Sequence, residues 1–418
     1  MPGLPHTAIY TDNHSRKEEL AQRLLRGAAP PELTFLGGRS GAHFSNARIA
    51  RMLDEEARHD HVDLDLGEDR KLATYSSGER RKALLDHLLE SSPDFLVFDN
   101  LFDNLDQASR IRLLQELQTL SKSVILVQLL SRPEDLLPFI RQRAFLDVSD
   151  LVGYPDYRPP AAISGQERIF SNALPAPAVS YDATPKVLVE FRDVHLSYGN
   201  RCILNGIDWN IEKGSFWELR GPNGSGKTSL ISMINGDNPK AYGQEIYLFG
   251  RRKGSGESVW DIKQRIGYFT PALTDRFRGN HRASHMLISG ITDSVGLYVR
   301  PTDRQLQLAN QWLALLGMET EKDALFRSLT EGQQRLLMCA RAMIKHPPLL
   351  ILDEPTGGLD EASAQLLISL VRKMAQESET AIVFVSHRAE PGLQADHVLE
   401  LIPGASGAAR VIHHNPSA

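Results

Sequence analysis

Two stretches of the chain share the same order of short motifs, and this internal repeat is the feature that most restricts the fold. The first stretch contains Tyr-Ser-Ser-Gly-Glu at 75–79 and an apolar run that ends at Asp99. The second contains Leu-Thr-Glu-Gly-Gln at 329–333 and an apolar run that ends at Asp353. The glycine of each motif precedes its aspartate by the same 21 positions. The repeat indicates two copies of one structural unit in the chain.

Each copy alternates between helical and strand-like patterns. After each glycine the sequence predicts a helix, then a Pro-bounded loop, a buried strand and a second short strand. The predicted helices are Arg80–Glu90 and Gln334–Ile344, and the predicted strands are Phe95–Asp99, Ser123–Gln128, Leu349–Asp353 and Ala381–Ser386. Helices that alternate with apolar strands predict an α/β fold, with a largely parallel sheet covered by helices on both faces.

A proline-rich segment separates the two copies. It contains Tyr-Pro-Asp-Tyr-Arg-Pro-Pro at 154–160 and Leu-Pro-Ala-Pro-Ala at 174–178, with little hydrophobic periodicity. Such a segment is typical of an extended linker, although an ordered loop packed on the domains is an equal alternative for part of it. We therefore expect a first domain over 1–151, a linker over 152–186 and a second domain over 187–418.

The second copy is preceded by a glycine-rich loop that fits the phosphate-loop pattern in full. The loop follows a strand-like stretch, Ser215–Arg220, and opens a helix-like one, Ser229–Asn235. Backbone N–H groups in such a loop curl around phosphates, the lysine reaches the β- and γ-phosphates, and the following hydroxyl binds Mg²⁺. The predicted phosphate-binding residues are Gly221, Pro222, Asn223, Gly224, Ser225, Gly226, Lys227, Thr228 and Ser229, with Thr228 as a metal ligand.

Three further residues are candidates for the chemistry, and one is a candidate for nucleotide binding. Asp353 and Glu354 end an apolar strand, so Asp353 is expected to support Mg²⁺ and Glu354 to polarise the attacking water, against the common alternative of a turn or helix cap. His387 follows the next strand and is expected to contact the γ-phosphate, although a surface histidine is the simpler alternative. Tyr198 is a candidate for stacking on adenine, or an ordinary core aromatic.

Together these motifs resemble an ATP-binding cassette (ABC) ATPase domain over roughly 187–410. Further segments resemble the ModF (PhrA) type of tandem ABC protein, namely 248–257, Trp-Asp-Ile-Lys at 260–263, Ile-Gly-Tyr at 266–268 and Gly-Gln-Gln-Arg at 332–335. The resemblance implies two P-loop nucleotide-binding domains in tandem, with ATP and Mg²⁺ as cofactors. It also implies head-to-tail pairing, in which each ATP lies between one phosphate loop and the other domain's signature motif, and it places Asp360 in the loop that crosses between domains.

The first copy has lost most residues that this chemistry needs. Aligned by the signature motifs, residues 11–18 stand in place of the phosphate loop; Lys17 remains, but the glycines are absent and Glu18 replaces the Mg²⁺-binding hydroxyl. Asn100 stands in place of the catalytic glutamate, and Leu129 or Leu130 near the position of the histidine. The segment that would carry an adenine-stacking aromatic is missing. We expect a truncated first domain with weak or no ATP binding.

The first copy keeps a plausible signature motif, and the second does not. Ser76, Ser77, Gly78 and Glu79 offer a hydroxyl and backbone N–H groups at a helix start, which suits a γ-phosphate. In the second motif Glu331 replaces a phosphate-facing glycine. The sequence thus predicts one working composite site, made of the second phosphate loop and the first signature motif, and one inactive site.

Composition limits the partners without identifying them. The net charge of −5 and the pI of about 6.3 give no strong nucleic-acid signal, and Cys202 and Cys339 are expected to be reduced thiols. Met1–His14 has no secretory pattern, and no apolar run reaches the roughly 18–20 residues that span a bilayer, so a transporter role would require a separate integral membrane permease. The expected location is cytoplasmic, either free or peripheral at the inner face of the membrane.

Two functions therefore remain open. One is the ATPase subunit of a transporter, of the molybdate type by family name. The other is a soluble ATP-driven switch that acts on a ribosome, a nucleic acid or a protein assembly. Thr270 or Pro271 occupies the place of a glutamine that in many ABC domains senses Mg²⁺ and couples to a membrane partner. Hydrolysis is therefore expected to be slow.

Overall fold

The structure, a computed structural model, describes residues 4–59, 64, 71–72, 75, 77–103, 105, 107–159, 170–177, 179–181, 184–274, 277, 279–404 and 409–414. These residues belong to two compact units. Unit 1 comprises residues 1–166 together with 358–361, and unit 2 comprises residues 167–357 together with 362–418. Each unit contains its own sheet and its own hydrophobic clusters.

Unit 1 is built on a six-stranded sheet with helices on both faces. Its elements are β1 (Thr7–Tyr10), α1 (Lys17–Leu25), β2 (Gly41–Phe44), α2 (Asn46–His59), α3 (Ser77–Glu90), β3 (Phe95–Asp99), α4 (Gln107–Leu120), β4 (Ile125–Leu130), β5 (Gln142–Asp147) and β6 (Asp150–Val152). The strand order is β2-β3-β4-β1-β5-β6, and every neighbouring pair is parallel except β5 with β6. Alternate residues of β3 enter two different apolar clusters, as expected for a strand buried on both faces.

Unit 2 is built on a ten-stranded mixed sheet in the order β11-β10-β7-β8-β16-β15-β9-β14-β13-β12. Its strands are β7 (Val187–Tyr198), β8 (Arg201–Glu212), β9 (Phe216–Arg220), β10 (Glu245–Leu248), β11 (Arg251–Arg252), β12 (Ile266–Phe269), β13 (Leu349–Asp353), β14 (Ala381–Ser386), β15 (His397–Pro403) and β16 (Ala409–His414). Its helices are α5 (Lys227–Ile234), α6 (Val259–Gln264), α7 (Pro271–Thr274), α8 (Ala283–Ser289), α9 (Asp303–Leu316), α10 (Glu331–Met343) and α11 (Glu361–Glu377).

Six strands of unit 2 repeat the order of the unit 1 sheet. The series β12-β13-β14-β9-β15-β16 corresponds strand by strand to β2-β3-β4-β1-β5-β6. The register repeats as well, since Asp99 lies beside Leu129 and Asp353 lies beside Val385. The strands β7, β8, β10 and β11, which pair antiparallel with one another, have no counterpart among the described residues of unit 1.

The predicted strands Phe95–Asp99, Leu349–Asp353 and Ala381–Ser386 are confirmed, but some other boundaries were wrong. Helix α10 begins at Glu331 rather than Gln334, because Thr330 accepts a hydrogen bond from the N–H of Gln333 and so caps the helix earlier. Strand β4 begins at Ile125 rather than Ser123, because the N–H groups of Ser123 and Val124 still bond to Leu120 at the end of α4.

Both ends of the predicted linker are ordered against a unit. In unit 1 the Tyr157 ring stacks on Phe145 with 5.6 Å between centroids. In unit 2 the carbonyl of Pro175 lies 2.7 Å from Nε2 of His346, and the N–H of Leu174 donates to the Glu377 carboxylate over 2.9 Å. The alternative of an ordered loop therefore holds for the described parts of the segment.

Among the helices within the ranges that the structure describes, none is both long enough and apolar enough to cross a bilayer.

Candidate functional site

The phosphate loop of unit 2 joins the end of β9 to the start of α5. Strand β9 lies between β14 and β15, so the loop emerges at the carboxyl edge of the parallel part of the sheet. Gly226 has φ +102°, and a Cβ at this position would lie 2.6 Å from Cδ2 of Leu204. Only glycine fits there, because an added side chain would be both strained and in collision.

Lys227 is the first residue of α5 and is almost fully buried. Its ammonium donates hydrogen bonds to the carbonyls of Gly221 over 2.6 Å and Pro222 over 3.2 Å. The charge is therefore held inside the loop, where the helix N-terminus adds a favourable dipole for an anion. Thr228, the predicted metal ligand, follows with its side chain exposed, and Ser229 is half-buried.

The predicted acidic pair lies at the end of β13. Burial raises the pKa of Asp353 and of Glu354, while the positive charge of Lys227 acts in the opposite direction on both. The Tyr268 hydroxyl donates to Oδ2 of Asp353 over 3.4 Å. Strands β9 and β13 are parallel with only β14 between them, so the acids and the phosphate loop lie at the same carboxyl edge of the sheet.

The oxygen donors at this place suit Mg²⁺ bound together with a phosphate. Among the described residues no group of three or more His, Cys, Asp or Glu side chains could hold a metal on its own. Mg²⁺ usually takes only one or two protein oxygens and completes its shell with water and substrate phosphates. Thr228 and Asp353 supply one hydroxyl and one carboxylate, which fits that requirement.

Glu354 has an unusual backbone conformation. Its φ is +49°, and its N–H donates to the Val385 carbonyl over 2.9 Å. The carboxylate faces His387, with 3.9 Å between Oε1 and Nδ1. A left-handed conformation at a residue other than glycine is costly and recurs at functional sites. The structure therefore brings His387 beside Glu354, which directly follows Asp353.

A buried contact beside these acids was missed by the sequence analysis. The Thr356 hydroxyl donates to Oε1 of Glu390 over 2.8 Å, and both side chains are buried. Glu390 is also one of the charges that raise the pKa of Glu354. Nothing in the spacing of these residues signals the contact, because they are 34 positions apart and meet only when β13 and β14 pair.

Tyr198 ends β7 and keeps half of its surface exposed, so it is not a core residue. Asn238 and Lys240, which the sequence analysis did not single out, contact it. The Asn238 amide donates to the tyrosine hydroxyl over 3.2 Å, and the Lys240 ammonium lies 5.3 Å from the ring centroid. The exposed ring is thus available for a planar ligand.

The corresponding loop of unit 1 is filled by its own side chains. The Asp12 carboxylate accepts hydrogen bonds from the N–H groups of His14 over 2.9 Å and Ser15 over 3.0 Å. Lys17 pairs with Asp99 at 3.3 Å, where Lys227 in unit 2 bonds to its own loop. These groups are the ones that a phosphate would otherwise contact, so the loop already contains its own anion.

Unit 1 and unit 2 also differ in the residues at three further corresponding positions. Glu18 lies 3.8 Å from Nδ1 of His43, a buried histidine whose pKa is lowered by burial. Asn100, in place of Glu354, has the same left-handed backbone with φ +44°. The sequence analysis placed Leu129 or Leu130 near the position of His387. The strand register assigns that position to Ser131, whose N–H donates to Oδ1 of Asn100 over 3.0 Å.

The two signature motifs form the first turns of α3 and α10. Ser76 lies outside the described residues, while Ser77, Gly78 and Glu79 begin α3. A Cβ at Gly78 would come no nearer than 3.8 Å to Ser109, so the helix start is open. In α10 the Glu331 side chain is 56% exposed and pairs with Arg335 at 3.3 Å. A carboxylate therefore stands at the start of α10 at the position where unit 1 has Ser77, since Gly332 corresponds to Gly78.

Comparisons with known proteins agree with the geometry. A family model for the ABC transporter matches residues 204–357. The ABC transporter ATP-binding protein ModF of Escherichia coli (strain K12) is 39% identical over 348 residues, which are 80% of this chain and 71% of that protein. The ABC transporter ATP-binding protein C323.04 of Schizosaccharomyces pombe is 29% identical over 326 residues, 76% of this chain and 65% of that protein. Among solved structures, cbiO1 from Clostridium perfringens, part of the ABC transporter complex cbiONQ, aligns with a TM-score of 0.47 at 22% identity, over 56% of this chain and 90% of that one.

Proposed function

Because the chain belongs to the ATP-binding cassette family of ATPases, we propose that it binds Mg-ATP at the phosphate loop of unit 2 and hydrolyses the γ-phosphate there. Lys227 and the loop N–H groups hold the phosphates, and Thr228 with Asp353 holds Mg²⁺, which neutralises the charge that develops during transfer. Glu354 polarises the attacking water and His387 holds the γ-phosphate. Tyr198 stacks on the adenine.

One observation carries this proposal. Lys227, at the start of α5, lies close enough to Asp353 and Glu354 for its charge to act on both carboxylates. The helix and the end of β13 are distant in sequence, but the sheet brings them to one edge, because only β14 lies between β9 and β13. This is the arrangement that phosphoryl transfer requires, since its catalysis depends on positioning and on charge stabilisation.

We further propose that the site is composite. In this proposal unit 1 is a truncated ABC domain, divided from the second domain at the segment 152–186, and the two domains pair head to tail. The signature motif, with the start of α3 at Ser77–Glu79 and with Ser76, which lies outside the described residues, then completes the site around the γ-phosphate. The loop of unit 1 binds ATP weakly or not at all, because Asp12, Asp99 and Glu18 would repel a triphosphate.

The substitution Gly78→Asp tests the composite site. An aspartate is well tolerated at a helix start, so the variant should fold, but its carboxylate would repel the γ-phosphate. We expect the ATPase kcat to fall about 10²-fold, the usual cost of removing one group that stabilises the transition state. The control is Glu331→Gln, one residue before the corresponding Gly332 of the other motif, which should leave kcat within about twofold of the native protein. An unchanged kcat in Gly78→Asp would refute the shared site within one chain.

For the wider function we propose the ATP-binding subunit of a transporter, which acts with an integral membrane permease at the cytoplasmic face of the membrane. The ModF relative is named an ABC transporter ATP-binding protein, which supports this reading. The molybdate-type substrate follows only from the family name that the sequence resemblance implies. The alternative is a cytoplasmic ABC switch, and it is favoured by one observation. Thr270 and Pro271 follow β12 in place of the glutamine that couples many ABC domains to a permease.

A pull-down separates these two roles. The bait is the Glu354→Gln protein with Mg-ATP, added to both solubilised membranes and soluble extract, and the control bait is Lys227→Ala. Recovery of one integral membrane protein by the first bait alone supports the transporter role. Recovery of ribosomal proteins, nucleic acid or a soluble complex instead supports the switch and removes the molybdate assignment.

A further inference from the structure

A chain of hydrogen bonds connects the helix of the phosphate loop to the ring of Tyr198. Asn238 lies in the turn after α5 and is 5% exposed. One N–H of its side-chain amide donates to the Tyr198 hydroxyl, and the other to Oγ of Ser232, each over 3.2 Å. Both donors of the amide are therefore used.

The position of Asn238 is itself closely determined. Its backbone N–H donates to the Ser232 carbonyl over 3.1 Å, and its Oδ1 accepts the N–H of Lys240 over 3.0 Å. Ser232 belongs to α5, and its hydroxyl donates to the Ser229 carbonyl over 2.8 Å, in the first turn after the phosphate loop. A buried amide with all these bonds satisfied has little freedom to move.

Lys240 restrains the same ring from another direction. Its ammonium lies 5.3 Å from the ring centroid, within the range of a cation–π interaction. The Tyr198 side chain is nevertheless 49% exposed. A half-exposed aromatic side chain would normally exchange between rotamers, whereas this one is held at its hydroxyl and contacted on its ring.

We propose that Asn238 is a positioning residue for nucleotide binding, which holds the Tyr198 ring at a fixed distance from the phosphate loop through Ser232. The inference rests on the proposed function, in which Tyr198 stacks on adenine. A ring that is already in place loses less conformational freedom when the ligand binds. The protein can therefore bind the base and the phosphates of one nucleotide at lower entropic cost. We call this restraint of the Tyr198 ring by Asn238 and Ser232 the brace. It strengthens the binding of ligands that carry a base, and it does not affect the binding of phosphate chains alone.

A double-mutant cycle tests the brace in the full-length protein. The probes are the non-hydrolysable Mg-AMP-PNP and inorganic tripolyphosphate, and binding is measured by calorimetry. Tyr198→Ala should weaken AMP-PNP binding about 10- to 100-fold through loss of stacking. Tyr198→Phe keeps the ring and removes only the hydroxyl, and Asn238→Ala removes the amide; each should weaken AMP-PNP binding about 3- to 10-fold.

The double variant Tyr198→Phe with Asn238→Ala should bind AMP-PNP no more weakly than Asn238→Ala, since both changes break the same hydrogen bond. Tripolyphosphate should bind all of these variants as it binds the native protein. Because Tyr198→Phe does not touch the turn that Asn238 caps, it separates the brace from a folding defect.

Four outcomes would overturn the inference. Native affinity in Tyr198→Phe, or additive losses in the double variant, would show that the hydroxyl contact does not position the ring. Equal losses for tripolyphosphate and AMP-PNP would show that Asn238 acts on the phosphate loop in general. If instead Tyr198→Ala binds AMP-PNP normally, the proposed adenine site itself is wrong, and the brace falls with it.

Discussion

The two loops that follow β1 and β9 occupy the same place in two sheets of matching strand order, yet they differ in where their polar groups point. In unit 2 the loop residues are mostly small, and Lys227 bonds to backbone carbonyls of its own loop. In unit 1 the Asp12 carboxylate accepts hydrogen bonds from backbone N–H groups of the loop, and Asp99 forms an ion pair with Lys17. An anion-binding site can therefore be lost in two ways. Either its hydrogen-bond donors are removed, or, as in unit 1, carboxylates of the protein itself occupy them.

The same contrast recurs at the end of the neighbouring strand. Glu354 and Asn100 share a left-handed backbone and the same backbone hydrogen bond to the next strand. Only the side chain differs: a carboxylate can accept a proton from water, whereas the Asn100 amide already accepts the N–H of Ser131. The unit 1 sheet thus keeps the geometry of the repeat without its chemistry, which is expected of a unit retained for structure or for completing another site.

The largest expected effect comes from changing this pair of residues. Glu354→Gln should lower the ATPase kcat about 10²- to 10⁴-fold, because the group that polarises the water is lost. Binding of Mg-ATP should persist. The matched change in unit 1 is Asn100→Ala, which should alter kcat by less than about threefold. Steady-state ATPase assays on both variants check the comparison, and a large loss in Asn100→Ala would show that unit 1 also contributes a catalytic group.

A smaller effect is expected from the two lysines. Lys227→Ala should weaken ATP binding about 10- to 150-fold, the range for a hydrogen bond to a charged group. Lys17→Ala should leave ATP affinity unchanged and lower the free energy of unfolding by about 1 kcal/mol, because Asp99 loses a partly exposed ion pair. Calorimetric titration and thermal unfolding separate these results. Equal losses of affinity would mean that both loops bind nucleotide.

The smallest effect concerns stability and its pH dependence. Burial raises the pKa of Glu354 above its ordinary 4.5, so its ionised form costs folding free energy at neutral pH. Glu354→Gln should therefore raise the melting temperature at pH 7 by a few degrees, since 1 kcal/mol corresponds to roughly 2–4 °C in a domain of this size. The gain should shrink as the pH falls towards 4.5 and disappear below it, where the carboxyl is protonated in both states.

The reciprocal change sharpens this prediction. Asn100→Asp places a carboxylate at the same backbone position in unit 1 and should lower the melting temperature at neutral pH. Scanning calorimetry from pH 4.5 to 8 on both variants checks the signs. A melting temperature of Glu354→Gln that does not depend on pH relative to the native protein would contradict a raised pKa.

Local patterns predicted the features that depend on residues near one another in the chain. The repeat, the phosphate loop and the acids at the end of β13 could all be predicted from the sequence, because each requires particular residue types at fixed spacing. The residues at which helices begin were harder to predict from the sequence. The capping bond from the N–H of Gln333 to Thr330 moved the start of α10 by three residues, and a cap depends on backbone conformation that the residue types allow without requiring.

By itself, the sequence therefore determined the α/β class and the two sheets, and it predicted the phosphate-binding and acidic residues, since periodicity and glycine spacing are local properties. Only the tertiary structure decided which partners the polar side chains choose. The strand register places Ser131 at the position that corresponds to His387, where the sequence had suggested a leucine nearby. The Asp12 carboxylate accepts a backbone hydrogen bond within its own loop. Asn238 reached Tyr198 across 40 positions of chain. Such bonds form between groups that folding brings within about 3 Å, and no pattern in a single sequence encodes that distance.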